Sequence, residues 1–376
     1  MKKITLLILT GLFIISLAAC TLDPIDDNDS NDVPPNDDLP IIDDYYDYSD
    51  YAADFDHAYP HTSSELTIVF GNEMDFYYSR GDAYSDSVCV ALDGAGEVAG
   101  QCEKSGTVDT LVNGIHEVVY YAIDGKGNYA SIAFEKKVFL DASVLEAELP
   151  EYYAGLEGLY GEALKDALHD LLQEVNLGNY GDARYRLQVT DQDPQNPDHV
   201  IQLYTRESVD KTWHCPDTHN CNWNREHVFP VSRMPISRPS NNDSNMGSDL
   251  HALAPEDIHE NSYRAAKNFT ETHSNETYSP VETVRGNVAR MMFYMEVMYT
   301  DLSIVVGLGN ASNYELGDLN YLLKWHFDDP ISDFEINRNE LIYGYQNNRN
   351  PFIDVPHFVQ LIYFDHPNLF DWIITD

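Results

Sequence analysis

The stretch W-N-R-E-H-V-F-P, Trp223 to Pro230, sets Arg225, Glu226 and His227 side by side in a chain that otherwise keeps cationic residues scarce. Glu226 offers a hard carboxylate oxygen of the kind Mg²⁺ or Ca²⁺ takes, and His227 a base that titrates near neutrality. Metal-assisted hydrolysis needs those two components, a Lewis acid to take up negative charge and a base to deprotonate water. Taken alone, a Glu-His pair on a strand is more often one exposed and one half-buried side chain. Strand neighbours point to opposite faces, so the two can serve one phosphate only if the strand ends or bends between them. Pro230 is consistent with a strand ending there.

Residues further along add to the pair. E-N-S-Y-R, Glu260 to Arg264, opens an amphipathic stretch that continues with Ala265, Ala266 and Phe269. Asn261 can give a metal its amide oxygen. Arg264, one helical turn on, projects from the same face and is the candidate phosphate clamp, with Arg225 a weaker one. In D-L-H-A-L-A-P, Asp249 to Pro255, Asp249 and His251 are read as structural, orienting a second strand.

Composition limits the partners. The chain has 376 residues and a net charge of -41, from 63 acidic and 22 basic side chains. Such a field repels nucleic acid and anionic lipid unless it is unevenly distributed. It is uneven: Glu151 to the C-terminus holds 35 acidic and 15 basic residues, whereas Arg225 to Arg290 holds 9 against 7. That near-neutral strip, with Arg225, Arg233, Arg238, Arg264, Lys267, Arg285 and Arg290, is expected to face a polyanion.

The N-terminus reads as an export signal. Lys2 and Lys3 precede an apolar run, Ile4 to Ile15, and then Leu17-Ala18-Ala19-Cys20, a pattern that resembles a bacterial lipobox. The run falls short of the ~20 residues that span a bilayer. Residues 1–19 are thus expected to be removed and Cys20 lipidated. After processing the chain has no transmembrane helix, and it sits on the extracellular face of the membrane or is secreted. Residues 20–61 follow as an acidic tether, with thirteen Asp and no Glu, Lys or Arg between 21 and 60. Four cysteines remain, and an exported chain favours two local disulfides, Cys89 with Cys102 and Cys215 with Cys221. Zinc is the rival for the second pair, because His214 and His219 lie beside it.

Two folded parts follow. Residues 62–142 alternate short β-rich runs with turns, and Val118–Ile123 and Tyr129–Leu140 flank a Gly-containing hairpin loop, the pattern of a small all-β sandwich. Its G-I-H-E-V-V-Y-Y-A-I-D-G-K-G-N-Y-A run resembles the last hairpin of bacterial immunoglobulin-like domains. From 150 to 376 the period becomes helical. Leu164, Leu168, Leu171, Leu172 and Val175 mark one helix over Glu162–Asn176, and Val288, Met291, Met292 and Met295 form a core stripe. Ser332-Asp333-Phe334-Glu335 is a capping box opening a third helix. The fold class is α+β, rich in helices after an all-β part.

Together W-N-R-E-H-V-F-P, D-L-H-A-L-A-P, E-N-S-Y-R, R-G-N-V-A-R-M-M-F-Y-M and Q-N-N-R-N-P-F-I-D resemble the endonuclease I family of ββα-metal nucleases, from about Tyr152 to the C-terminus. The resemblance implies that His227 is the general base and that Glu226 and Asn261 hold a divalent cation, Mg²⁺ with Ca²⁺ or Mn²⁺ as substitutes. It implies hydrolysis of DNA, and possibly RNA, to 5′-phosphate ends with little base preference, by a monomer. Phe229-Pro230-Val231 and Asp354-Val355-Pro356-His357 depart from the family pattern and bear on substrate contacts. Arg349, in N-N-R-N-P-F, either contacts substrate or pins the C-terminal segment. The alternatives are a lipoprotein that captures nucleic acid without cutting it, and a zinc hydrolase built on His214, Cys215, His219 and Cys221.

Overall fold

The computed structural model describes residues 65–213 and 222–366, together with the backbone of His57–Ala58. The export signal, Cys20, the tether apart from His57–Ala58, and Cys215 and Cys221 with His214 and His219 lie outside the described residues.

Eight strands build the N-terminal part: β1 (His57–Ala58), β2 (Leu66–Phe70), β3 (Tyr77–Ser79), β4 (Cys89–Asp93), β5 (Val98–Gln101), β6 (Glu103–Ser105), β7 (Gly114–Ile123) and β8 (Tyr129–Phe139). They form two four-stranded sheets, ordered β1-β2-β4-β5 and β3-β8-β7-β6. Alternate residues of both point into one core, with Leu66, Ile68 and Phe70 from the first sheet against Val118, Tyr120, Ile132 and Phe134 from the second. The long hairpin pairs Gly114 with Val138 through to Ile123 with Tyr129. A disulfide joins Cys89 in β4 to Cys102, just before β6, with Cα atoms 5.6 Å apart. The division from the next part is not clean. Phe139 at the end of β8 stacks on Phe364 at 4.8 Å and belongs to the C-terminal core.

The C-terminal part begins with α1 (Gly161–Leu172), α2 (Tyr180–Thr190), β9 (Gln192–Asp193), β10 (Asn196–Ile201) and β11 (Ser208–Asp210). The helix expected over Glu162–Asn176 stops at Leu172. Leu164, Leu168 and Leu172 are buried, and Val175 packs from outside the helix. Next come β12 (Asn224–His227), β13 (Leu253–Glu256), α3 (Ile258–Arg264), β14 (Asn268–Phe269) and β15 (Thr277–Tyr278). The remainder is α4 (Arg285–Met298), β16 (Ser303–Val305), β17 (Glu315–Gly317), α5 (Leu319–Asp328), α6 (Asp333–Gln346), α7 (Pro351–Asp354) and α8 (Phe358–Ile362). Ser332 caps α6 in a reciprocal capping box with Glu335.

The helix α4 is the axle. The Val288-Met291-Met292-Met295 stripe understates its burial, since every residue from Gly286 to Met298 is buried. The polar groups on its far faces are therefore paired: Arg290 meets Glu335 at 2.7 Å, and the Tyr294 hydroxyl donates to Asp249 at 2.7 Å. Asp249 is fully buried and also accepts from the Tyr299 hydroxyl, the Gln346 amide and the His251 backbone N–H. This network fixes the start of β13 against α4 and α6, which is the structural role expected of Asp249. Arg349 is held by Asp354 and Glu340 and so pins the C-terminal segment.

Candidate active site

The antiparallel pair β12–β13 followed by α3 is a ββα unit, in register Asn224 with Glu256, Arg225 with Pro255, Glu226 with Ala254 and His227 with Leu253. Because strand residues alternate, β12 presents two chemically different faces. Asn224 and Glu226 face α3. Arg225 and His227 face Tyr180 at the start of α2. Glu226 and His227 thus keep opposite directions on one short strand and still line the same open pocket of about 470 Å³, with Asn224, Asn261, Arg225 and Arg238.

His227 is oriented by an acceptor. Its Nε2 lies 2.8 Å from the Gly247 carbonyl, which can only accept, so Nε2 carries the proton and Nδ1 keeps its lone pair. The Gly247 carbonyl is set in turn by a short 3-10 turn that Asn245 and Ser248 cap reciprocally. Tyr180 stacks on the imidazole with centroids 5.4 Å apart. Burial, assisted by the charges of Arg225, Arg238 and Arg264, pushes His227 down to about 4, which keeps it neutral at pH 7 with its Nδ1 lone pair available.

Glu226 is buried, and its Oε1 accepts from the Tyr204 hydroxyl at 2.9 Å and from Arg264 at 3.2 Å. Burial outweighs Arg264 and raises its carboxyl to about 7. A second dry carboxyl, Glu256, lies behind it, raised to about 7 by burial and bonded to the Tyr204 and Asp257 backbone N–H groups.

Asn261 donates its amide nitrogen to the Asn224 side chain at 2.8 Å and to the Arg225 carbonyl. Those bonds leave the amide oxygen as its free end. The donor chemistry fits a hard divalent cation: one carboxylate and one amide oxygen, with the remaining positions open to water or phosphate oxygens. Among the described residues no group of three or more His, Cys, Asp or Glu is placed to hold a metal, so such an ion would rest on few protein ligands.

Arg264 is a correction. Its spacing from Asn261 predicts a phosphate clamp, but it is fully buried, and α3 ends there because Ala265 turns to φ +50. The amphipathic stretch does not continue as helix, and Phe269 lies in β14. The Arg264 guanidinium is spent on Glu226, on the carbonyls of His227 and Val228, and over the Phe269 ring. It positions Glu226. The basic strip is corrected likewise. Arg233 bonds the Ala266, Gly309 and Glu315 carbonyls, Arg290 pairs inside the core, and Lys267 lies over Tyr263. Of its members only Arg225 and Arg238 line the pocket. Tyr180, Tyr204, Asn224 and Gly247 carry no signal that singles them out from sequence. The Asn245-to-Ser248 capping pattern is the one local feature that points near them.

Buried titratable groups set an acid response. Burial holds His251 near 4 and His326 near 3, so both stay neutral in the folded chain where the unfolded chain protonates them, below about 6.5. Glu256, raised to about 7, instead takes a proton on folding. Glu226 and His227 offset each other in the same way. Near pH 5.5 the unfolded chain therefore binds more protons than the folded one, which makes stability fall on acidification. Urea unfolding of the metal-free protein between pH 4.5 and 6.5 checks this, and a flat or rising stability on acidification would contradict it.

The ββα unit thus brings a histidine, a carboxylate and an amide oxygen to the wall of one open pocket. Residues 160–357 match the Endonuclease I family, and the chain belongs to it. It is similar to the extracellular ribonuclease of Bacillus subtilis (strain 168), 35% identical over 257 residues that cover 64% of this chain and 85% of that protein. It is also similar to the extracellular ribonuclease of Bacillus amyloliquefaciens, 37% identical over 235 residues that cover 58% and 79%.

Proposed function

We propose that this protein is an extracellular, divalent-cation-dependent endonuclease that hydrolyses phosphodiester bonds of both DNA and RNA with little sequence preference. One observation carries the reading: the Gly247 carbonyl accepts a hydrogen bond from His227 Nε2–H, which leaves Nδ1 as a base in the pocket that Glu226 and Asn261 also line. His227 accepts a proton from water as the water attacks phosphorus, and the Gly247 carbonyl stabilises the imidazolium that results. Departure of the 3′ oxygen leaves a 5′-phosphate on the downstream piece. Glu226 and Asn261 hold the cation, with Mg²⁺ the first choice and Ca²⁺ or Mn²⁺ able to replace it. When bound, the cation neutralises charge on the phosphate and the departing oxygen. Tyr204 and Arg264 hold Glu226 in place, and Asn224 turns the Asn261 oxygen outward.

The names of both relatives bring RNA into the substrate range. DNA stays in it because attack by an activated water, unlike attack by a ribose hydroxyl, needs no 2′ oxygen on the substrate. We further propose that the chain acts outside the cell as a monomer, anchored by lipid at Cys20 through the acidic tether, with an immunoglobulin-like spacer before the nuclease domain. Among the described residues no helix is long and apolar enough to cross a membrane.

Incubating the full mature chain with plasmid DNA and with bulk RNA, in Mg²⁺ with and without EDTA, tests the reading. Cutting of both that EDTA abolishes and excess Mg²⁺ restores is the expected result. Intact nucleic acid across Mg²⁺, Ca²⁺ and Mn²⁺ would overturn the enzyme, and cutting that survives EDTA would overturn the cation.

A further inference from the structure

We propose that Arg184, Arg225 and Arg238 form an anion subsite at the Tyr180 wall of the catalytic pocket, which takes a neighbouring, non-scissile phosphate of the polynucleotide backbone. The inference rests on the nuclease reading, since it presumes a polymeric substrate.

In a chain with 63 acidic residues, Arg264, Arg285, Arg290, Arg338 and Arg349 each meet a carboxylate. Among the described residues no carboxylate lies within ion-pair distance of Arg184, Arg225 or Arg238. Arg186, Arg206 and Arg233 also lack an ion pair among the described residues, but Arg184, Arg225 and Arg238 do so at or next to the catalytic pocket. They gather instead around Tyr180: Arg225 lies on its ring, Arg184 is one helical turn along the same helix, and Arg238 lines the same pocket as Arg225. Like charges held together cost free energy until an anion arrives. Two donors there are also orphaned, because the Nε atoms of Arg184 and Arg225 are buried without a hydrogen-bond partner among the described residues.

The scaffold is aromatic, which leaves guanidinium edges free. Arg225 lies flat on the Tyr180 ring at 3.5 Å, with the Trp213 ring 5.3 Å away, and one of its Nη groups donates to the Tyr180 carbonyl. A ring face orients a guanidinium without occupying the edge donors that match phosphate oxygens. Arg184 is one helical turn along α2 from Tyr180, and Arg238 is exposed at the pocket wall. Tyr180 thus has Arg225 on its ring and His227 stacked against it. The cluster is thereby tied to the base and yet distinct from Glu226 and Asn261, which belong to the opposite face of β12. A phosphate held there belongs beside the one being cut.

The test compares two substrates, a dinucleoside monophosphate with a single phosphodiester and a twelve-nucleotide single strand. Arg184→Ala, Arg238→Ala and the double variant are used, because changing Arg225 would also remove packing on Tyr180. In the double variant kcat/KM on the twelve-mer is expected to fall about tenfold more than on the dinucleotide. The salt slope of twelve-mer binding should become shallower by roughly 0.7 for each phosphate that is no longer neutralised. Equal losses on both substrates would put the arginines on the scissile phosphate and overturn the subsite, as would an undiminished twelve-mer rate. Fluorescence anisotropy with the same twelve-mer needs no cleavage, so its salt slope decides the subsite even if the wild type cuts neither substrate. That last result would overturn the nuclease reading alone.

Discussion

Replacing His227 with alanine lowers the single-turnover cleavage rate by roughly 10²- to 10⁴-fold, the range a positioned general base contributes. The size follows from the tautomer. Nε2–H is committed to the Gly247 carbonyl, so Nδ1 is the atom left to accept the proton from water. His227→Gln sharpens the test, because an amide N–H can still reach the Gly247 carbonyl while the side chain offers no comparable base. Both variants should therefore lose rate to a similar extent and still bind a fluorescent twelve-mer. A rate within tenfold of wild type in either one would remove His227 from the chemistry.

Replacing Arg264 with leucine destabilises the protein by about 1–3 kcal/mol for each group left unsatisfied, because the Glu226 carboxyl and the His227 and Val228 carbonyls lose their buried donor. The guanidinium is fully buried, and it serves Glu226 and the carbonyls of His227 and Val228 together. A surface phosphate clamp would behave differently, raising KM and leaving the unfolding midpoint alone. The double variant Arg264→Leu, Glu226→Gln should recover part of the lost stability, since the amide needs no proton to stay neutral in that dry site. Urea unfolding of the single and double variants measures this directly, and an unshifted midpoint in Arg264→Leu would return it to the substrate side.

Much of the site is legible locally. Glu226, His227 and Asn261 stand out by residue type and spacing, and they line one pocket because a short strand, its partner strand and the following helix are a local unit. The hairpin of β7 and β8, the capped start of α6 and the core stripe of α4 are readable for the same reason, since period and caps act over a few residues. Less legible are the ends of elements. Val175 continues the helical pattern of α1 although the helix stops at Leu172, and Ala265 interrupts an apolar spacing that looks continuous. Tertiary contacts decide both.

The sign of each arginine is knowable from the chain, but not its job. From residue identity alone, Arg264 and Arg238 are equivalent cations in a near-neutral strip. Folding buries the first completely and leaves the second exposed at the pocket wall. The same holds for Gly247, Tyr180 and Tyr204, which carry no signature and acquire roles only when distant segments meet at β12. What the sequence determined by itself was the chemistry on offer: a carboxylate, a base and an amide oxygen at a spacing that brings them together. Which donors are consumed inside and which remain for a ligand was decided only by tertiary structure. Burial and hydrogen-bond partners depend on residues far apart in the chain, and desolvation strengthens or silences a charge according to where it ends up.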